Sequence, residues 1–256
     1  MKIVFIGAGN LATQLSLALQ SAGHKISQIY SRTETSAREL SDTLKTEYTT
    51  QIEQVRPDAD LYLFSVKDTV LPELIRHMPR NNGIWAHTAG SMPMNIFKTA
   101  TEKYGVFYPL QTFSKHLDVT FSHIPIYIEG SDRNVTADLV ALGKDLSDNV
   151  QVISSEQRKF LHLAAVFACN FTNYMYTIAA DLLEEHDLSF TDLLPLIDET
   201  AAKIHKMPPV EAQTGPAIRY DRNVIEKHLD LLNHENTREI YELLSKNIHK
   251  YYHKNK

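Results

Sequence analysis

The sequence lacks several features that define common protein classes. Its 256 residues include one cysteine, Cys169, so no intramolecular disulfide can form. No apolar run reaches the ~20 residues of a membrane span, and Asn10, Thr13 and Gln14 interrupt the apolar start before it resembles a signal peptide. The 26 basic and 31 acidic residues form no basic stripe of the kind that nucleic acids require. We therefore expect a cytoplasmic protein that binds neither membranes nor nucleic acid.

Several catalytic motifs are also missing. The chain has no G-x-S-x-G nucleophile turn and no lysine-terminated phosphate loop. Its 12 histidines are scattered, and His249 and His253 belong to no zinc-binding pattern. We expect no metal centre, and we expect the lone Cys169 to be buried. With 43% hydrophobic residues, the chain can still form a substantial core.

Strand-like and helix-like segments alternate through the first part of the chain. Strands are predicted at residues 2–6, 25–32, 60–66, 83–90, 105–110, 125–130 and 150–154. Helical patterns occupy residues 10–22, 33–44, 69–78 and 134–148. This alternation predicts a Rossmann-like α/β fold, in which a mainly parallel sheet is covered by helices on both faces.

The pattern changes near Ser154, after which no strand is predicted. Residues 155–186 read as one helix of roughly 45 Å, and further helices are predicted at 190–205, 222–233 and 235–252. We expect two domains, at residues 1–153 and 154–256. The apolar side of the long helix is larger than one small domain can cover, which predicts a homodimer through the helical domain.

A glycine-rich turn links the first strand to the first helix. The residues Gly7-Ala8-Gly9-Asn10-Leu11-Ala12 form G-x-G-x-x-A in a strand-to-helix context. Gly7 permits a tight turn, Gly9 leaves room for a pyrophosphate, and the helix N-terminus favours anions. This loop, with Asn10 and Leu11, is our candidate dinucleotide site. The alternative is a glycine-rich turn that binds nothing.

The end of the second strand indicates which dinucleotide the site would take. NAD sites place a carboxylate there, whereas this chain has Ser31, Arg32 and Thr33. A guanidinium and two hydroxyls suit a ribose 2′-phosphate, so the sequence predicts NADP(H). Arg32 could instead be an ordinary solvated surface residue.

Two further strand ends would lie at the same edge of the sheet, where open parallel sheets bind ligands. They supply the remaining candidate cofactor contacts, which are Ser65, Val66, Lys67, Thr88 and Ala89. His87 could be either catalytic or structural.

These segments resemble known families. The Gly7 loop, the segment 31–33 and the two strand ends resemble the NADP-binding domain of pyrroline-5-carboxylate reductases, deazaflavin-dependent NADP reductases and 3-hydroxyacid dehydrogenases. The segments 108–113, 161–167, 170–171 and 214–221 resemble a group of NADP oxidoreductases in which a Rossmann domain precedes a helical domain of unknown function. The resemblance implies NADP(H) as cofactor and an all-α second domain like that of 6-phosphogluconate dehydrogenase, which packs on the first domain and usually dimerises.

One departure from these families concerns catalysis. Hydroxyacid dehydrogenases carry a lysine one helical turn before an asparagine, whereas here Val166 and Phe167 precede Asn170. His162, two turns before Asn170, could donate a proton, and Asn170 could orient a substrate. Alternatively, His162 is a core histidine and Asn170 caps a bend or bridges subunits.

Candidate substrate contacts follow from two polar segments. Gln111 and Thr112 follow a predicted strand, and Arg219 follows a Gly-Pro turn and could clamp a carboxylate. Arg219 could equally pair with Asp221 or Asp198. The sequence thus predicts an NADP(H)-dependent oxidoreductase that moves hydride to or from a small carbonyl, imine or redox coenzyme. A non-catalytic NADP(H) sensor and an interaction scaffold with a vestigial loop are the alternatives.

Overall fold

The computed structural model describes residues 1–253, and the backbone contacts divide the chain into two compact units, Met1–Cys169 and Asn170–Lys256. The first unit contains an eight-stranded sheet. Its strands are β1 (Lys2–Ile6), β2 (Lys25–Tyr30), β3 (Glu47–Thr49), β4 (Leu61–Phe64), β5 (Ile84–His87), β6 (Tyr104–Pro109), β7 (Ile126–Gly130) and β8 (Val150–Val152). The domain boundary after residue 153 stays a prediction.

The strand order is β3-β2-β1-β4-β5-β6-β7-β8. The strands β1 to β6 are mutually parallel, whereas β7 runs antiparallel to β6 and parallel to β8. The chain reverses its direction of winding between β1 and β4, so a crevice opens above the carboxyl ends of these strands. This architecture confirms the predicted Rossmann-like fold, with helices following it. The short strand β3 was not predicted.

Five helices accompany the sheet: α1 (Asn10–Ser21), α2 (Glu34–Leu44), α3 (Leu71–His77), α4 (Arg133–Lys144) and α5 (Ser155–Ala165). Two of them have well-defined caps. The Asp132 carboxylate accepts hydrogen bonds from the first turn of α4, and Ser154 forms a reciprocal capping box with Gln157 at the start of α5.

The core forms one layer on each side of the sheet. One layer joins alternate residues of the strands, such as Ile3 and Phe5, to Leu15 of α1 and Leu139 of α4. The other layer contains Trp85 and other aromatic side chains together with residues of α3. Because both faces are covered, the central strands are fully buried and read as continuous apolar runs.

The predicted long helix ends at Glu184, two residues before its predicted end, and it is not uniformly α-helical. A π-helical segment, Val166–Phe171, separates α5 from α6 (Thr172–Glu184). The second unit continues with α7 (Leu194–Ile204), α8 (Pro209–Ala212), α9 (Pro216–Arg219), α10 (Arg222–Leu231) and α11 (Glu235–His253). In this unit the described residues form no strand, and none of the described helices is long and apolar enough to cross a membrane.

Side chains of the second unit are mostly accessible. Ile225 and Ser245 are the buried residues of its described part. Cys169, at the end of the first unit, is exposed, so the prediction that it is buried was wrong. The neighbouring side chains of Phe167 and Phe171 are exposed as well, so the apolar sequence around Cys169 does not lie in the core.

Candidate functional site

The glycine turn has the geometry that a phosphate loop needs. Gly7 has φ +122°, and a Cβ there would lie 2.2 Å from the carbonyl oxygen of Ser65. A Cβ on Gly9 would meet no atom within 4 Å, so Gly9 borders open space. Gly9 occupies the N-cap position of α1, where no side chain forms a capping hydrogen bond, and the first turn of α1 has no acidic residue. The first-turn N–H groups of α1 are therefore available to an anion.

A cavity of about 620 Å³ lies beside this turn. Every residue predicted to hold the cofactor lines it: Gly7, Gly9, Asn10, Leu11, Ser31, Arg32, Thr33, Ser65, Val66, Lys67, Thr88 and Ala89. The other lining residues were not among the predicted cofactor contacts; they are Ala8, Tyr30, Ser36, Val70, Glu73 and Leu74. The cavity thus draws on the carboxyl ends of β1, β2, β4 and β5.

The charges of the cavity favour an anionic ligand. Arg32 and Lys67 line it, and within the described chain neither forms an ion pair. Glu73 is the one carboxylate among the lining residues. Two cations beside an uncapped helix N-terminus suit a ligand with phosphates at two places. The apolar side chains of Val66, Val70 and Leu74 offer a surface for a flat ring.

The side chain of Asn10 has a role that the sequence did not indicate. Its amide donates to the carbonyl oxygen of Phe113 at 3.0 Å. One turn later, the buried amide of Gln14 donates to the carbonyls of Ser114 at 2.8 Å and Leu117 at 3.0 Å. The loop after β6 is thereby attached to the helix that begins at the phosphate loop. The Asn10 amide keeps a second N–H hydrogen, so both that hydrogen and the backbone N–H can still meet a phosphate.

His87 is a buried, neutral histidine. Its ring is fully buried, and its Nδ1 accepts a hydrogen bond from the Ala89 N–H at 3.2 Å. Burial, and secondly the nearby Arg158 charge, lower the pKa of His87 to about 3, although the Pro93 carbonyl opposes this shift. Its Nε2 makes no hydrogen bond of normal geometry to the described residues. Of the two predicted alternatives, these features favour the structural one.

His162 lies at the carboxyl edge of the sheet rather than in a core. Its Nδ1 is 3.1 Å from the hydroxyl oxygen of Tyr108, near the end of β6. On another side the ring covers Gly90, where an added Cβ would lie 2.6 Å from the imidazole. Gly90 follows Ala89, which lines the cavity. The half-buried His162 is therefore placed close to one end of the candidate cofactor site.

A buried ion pair anchors the helix that carries His162. Arg158, one turn earlier on α5, is 1% exposed and donates to Glu129 at 2.6 Å and to the Met92 carbonyl at 2.6 Å. Ser155 donates to the same Glu129 oxygen at 2.7 Å. No pattern in the sequence indicates this network, because its charged members pair only in the folded chain. The Arg158 charge also opposes the effect of burial, which raises the pKa of Tyr108.

The remaining candidates are not among the residues that line the cavity. Gln111 and Thr112 are exposed residues of the first unit, and the Gln111 side chain accepts a hydrogen bond from the Thr112 N–H at 2.8 Å. Asn170 and Arg219 are exposed residues of the second unit. Arg219 forms no ion pair among the described residues, while Asp221 caps α10. The catalytic or substrate roles of these four residues stay predictions.

A larger hollow of about 770 Å³ lies at the amino ends of the strands. Five aspartates line it: Asp58, Asp60, Asp132, Asp138 and Asp145. Nothing there resembles a phosphate cradle, and the described residues hold no group of three metal-ligating side chains placed for a metal ion. The carboxyl edge is therefore the candidate functional site.

The fold and the cavity define a class: a Rossmann protein with a dinucleotide-type site, followed by a helical region. Comparisons agree with this class. Residues 2–85 match the family model described as "NADP oxidoreductase coenzyme F420-dependent", and residues 124–248 match a domain of unknown function, DUF2520. No curated protein matches the chain.

Solved structures extend the comparison over the whole chain. A candidate NADP oxidoreductase from Bacteroides fragilis is 52% identical with a TM-score of 0.93, and the match covers 97% of this chain and 98% of that one. An imine reductase from Myxococcus stipitatus in complex with NADP+ is 14% identical (TM-score 0.69, coverage 98% and 92%). A 1-pyrroline-5-carboxylate reductase from Streptococcus pyogenes is also 14% identical (TM-score 0.64, coverage 98% and 98%).

The chain therefore belongs to the NADP oxidoreductase family represented by the Bacteroides fragilis protein. This confirms the family predicted from the sequence, with an NADP oxidoreductase domain followed by DUF2520. The likeness to the two reductases of lower identity shows a shared fold.

Proposed function

We propose that the protein is an NADP(H)-dependent oxidoreductase that moves hydride to or from a small carbonyl or imine compound. The observation that carries the proposal is the cavity of about 620 Å³ in which Arg32 and Lys67, without ion pairs among the described residues, lie beside the uncapped start of α1. Family membership and the fold shared with an imine reductase in complex with NADP+ support it.

Each part of the cofactor has suitable residues in this proposal. The open side of Gly9 and the first N–H groups of α1 receive the pyrophosphate. Arg32, with Ser31 and Thr33, receives the ribose 2′-phosphate through charge-assisted hydrogen bonds. The adenine lies along the apolar residues Val66, Val70 and Leu74, and the nicotinamide half extends toward Thr88 and Ala89.

When bound, the nicotinamide exchanges hydride with the substrate carbon. The chain then has to hold the substrate and move one proton at its oxygen or nitrogen. His162 is the proposed group for this proton, since it lies against Gly90, next to the cavity residue Ala89. Asn170, Gln111, Thr112 and Arg219 are the proposed substrate contacts, with a carboxylate as the partner of Arg219.

The test of this function is a screen for NADPH oxidation with carbonyl and imine acids. A substrate found in the screen should be turned over by the wild-type chain and not by His162→Ala, while both bind NADPH equally. Full turnover by His162→Ala would remove His162 from the mechanism. NADPH binding with no turnover of any compound would favour the sensor alternative, which the missing lysine before Asn170 also favours.

We also propose that the protein forms a homodimer through its helical unit. Large apolar side chains of this unit are exposed on the single chain, among them Leu188, Leu194, Leu196, Ile204, Leu231, Leu243 and Leu244. Such a number of exposed apolar side chains is typical of surfaces that associate. A second copy is the proposed cover, because most oligomers of this kind are symmetric homodimers.

A further inference from the structure

The imidazole of His162 is held on more than one side. Gly90 leaves space for the ring where any other residue would collide with it. Tyr108 lies edge-on to the ring, with centroids 6.2 Å apart, and its hydroxyl is 3.1 Å from Nδ1. The buried Arg158–Glu129 pair anchors the preceding turn of α5. By contrast, Nε2 forms no hydrogen bond with the described residues, so it is the ring nitrogen left for a ligand.

The Tyr108 hydroxyl determines which ring nitrogen carries the proton. Tyr108 is 8% exposed, and burial raises the pKa of its hydroxyl, which is therefore protonated at neutral pH. Its hydrogen needs an acceptor, and His162 Nδ1 is the one found among the described residues. If Nδ1 carried the proton instead, the buried hydroxyl hydrogen would be unpaired, which costs about 1–3 kcal/mol. A lone pair left without a donor on the hydroxyl oxygen is the smaller penalty, because buried acceptors are left unpaired more often than buried donors.

We propose that Tyr108 is a positioning residue that donates its hydroxyl hydrogen to Nδ1 and thereby fixes neutral His162 as the Nε2–H tautomer. The tautomer follows from the Tyr108 contact alone, whereas its catalytic meaning rests on the proposed function. In that function, His162 presents a single directed donor to the substrate heteroatom.

Tyr108 and His162 together can supply the proton that the reduction of a carbonyl group requires. Hydride adds to the carbonyl carbon, the Nε2–H bond breaks, and the proton forms the new O–H bond of the product. Nδ1 takes the hydroxyl proton of Tyr108 in the same step, so the imidazole stays neutral. This step leaves a phenolate on Tyr108, which burial disfavours and the nearby Arg158 charge partly offsets, so it takes a proton back from water at once.

The experiment is NMR of the full chain labelled with ¹⁵N-histidine, recorded near pH 8, where an ordinary imidazole is neutral. The His162 signals are assigned by their absence in His162→Gln. In the wild type we expect the ¹⁵N chemical shifts of an unprotonated Nδ1 and a protonated Nε2. Tyr108→Phe keeps the buried aromatic ring but removes the hydroxyl. In this variant we expect the ¹⁵N chemical shifts of both His162 nitrogens to move toward the values of an imidazole that exchanges between its two neutral tautomers. Tyr127→Phe is the matched control, because Tyr127 pairs with Tyr108 across β6 and β7 but does not bond His162.

A protonated Nδ1 in the wild type overturns the proposal, and so does an unchanged His162 pattern in Tyr108→Phe. If Tyr108→Phe does not fold, the wild-type spectrum decides. The measurement needs neither cofactor nor substrate, so it tests the tautomer of His162 separately from the proposed oxidoreductase function. The expected pattern in a chain that turns over nothing in the NADPH screen supports the tautomer and contradicts the proposed function.

Discussion

The two units of the chain are stabilised in different ways. The sheet unit buries side chains on every strand from β1 to β7, with a core layer on each face. In the described part of the helical unit, Ile225 and Ser245 are buried, while many leucines are exposed. A sheet covered on both faces forms its own core, whereas these short amphipathic helices do not. The difference indicates that the sheet forms its own core, whereas the exposed apolar side chains of the second unit, like those of Phe160 and Leu163 on α5, need a covering surface.

The largest expected effect concerns assembly. Light scattering at micromolar concentration should give the mass of a dimer, because the exposed apolar side chains of the helical unit are then covered. Leu196→Glu, at a side chain that is 64% exposed on α7, should shift the population toward monomer. Glu199→Gln, on the same helix, is the control and should leave the dimer intact. A monomeric wild type would contradict the claim that the helical unit is covered by a second copy.

The next effect concerns charge burial. Arg158→Met leaves the partly buried Glu129 without its partner, which should lower the free energy of unfolding by about 3–5 kcal/mol. The control is Lys246→Met in the helical unit, which removes the exposed Lys246–Glu242 pair. This control should leave the denaturant midpoint unchanged. If the two variants lost equal unfolding free energy, the buried ion pair of the first unit would be no more important for stability than the exposed ion pair of the second.

Two glycines of the phosphate loop should separate folding from binding. Gly7→Ala places a Cβ against the Ser65 carbonyl at a positive φ, so we expect a loss of about 3 kcal/mol in stability. Gly9→Ala points its Cβ into open space, so stability should hold while NADPH affinity falls. Thermal unfolding and calorimetry measure the two quantities. A stable Gly7→Ala, or a Gly9→Ala with full NADPH affinity, would contradict the account of this loop.

A smaller effect comes from buried His87. The pKa of His87 is about 3 in the folded chain against an ordinary 6.5, so the unfolded chain binds the extra proton between these values. Stability is therefore fully present above pH 6.5 and falls as the pH drops toward 3. Between pH 7.5 and 5.5 the loss of stability from His87 should be about 1.4 kcal/mol. Denaturant unfolding of His87→Gln should lack this part of the pH dependence, and an unchanged dependence would refute the assignment.

Much of the fold was predictable because its signals are local. Buried parallel strands read as apolar runs, and the glycine turn after residues 2–6 marked the edge where the cavity lies. The strand β3 was missed because its three residues, Glu47–Thr49, carry no apolar run. The π-helical segment 166–171 was missed because a helical periodicity does not reveal a change in hydrogen bonding.

The residues of the site that follow strand ends could be predicted from the sequence. Those that depend on contacts between residues far apart in the sequence could not. Gly7, Arg32 and Lys67 follow strands directly, so topology alone brings them together. Tyr108 and His162 are 54 residues apart, and Glu129 and Arg158 are 29 residues apart. Nothing in one sequence marks such pairs, because packing of α5 on the sheet creates them.

The central claim is that the cavity beside Gly9 binds NADP(H) through Arg32. Calorimetry at matched salt tests it most directly, by comparing NADPH with NADH in the wild type and in Arg32→Ala. Arg38→Ala is the control, because Arg38 bonds Glu34 and Tyr48 and does not line the cavity. We predict about 100-fold tighter binding of NADPH in the wild type and in the control, reduced to below about 10-fold in Arg32→Ala. Equal affinities of the wild type for the two cofactors would contradict the account.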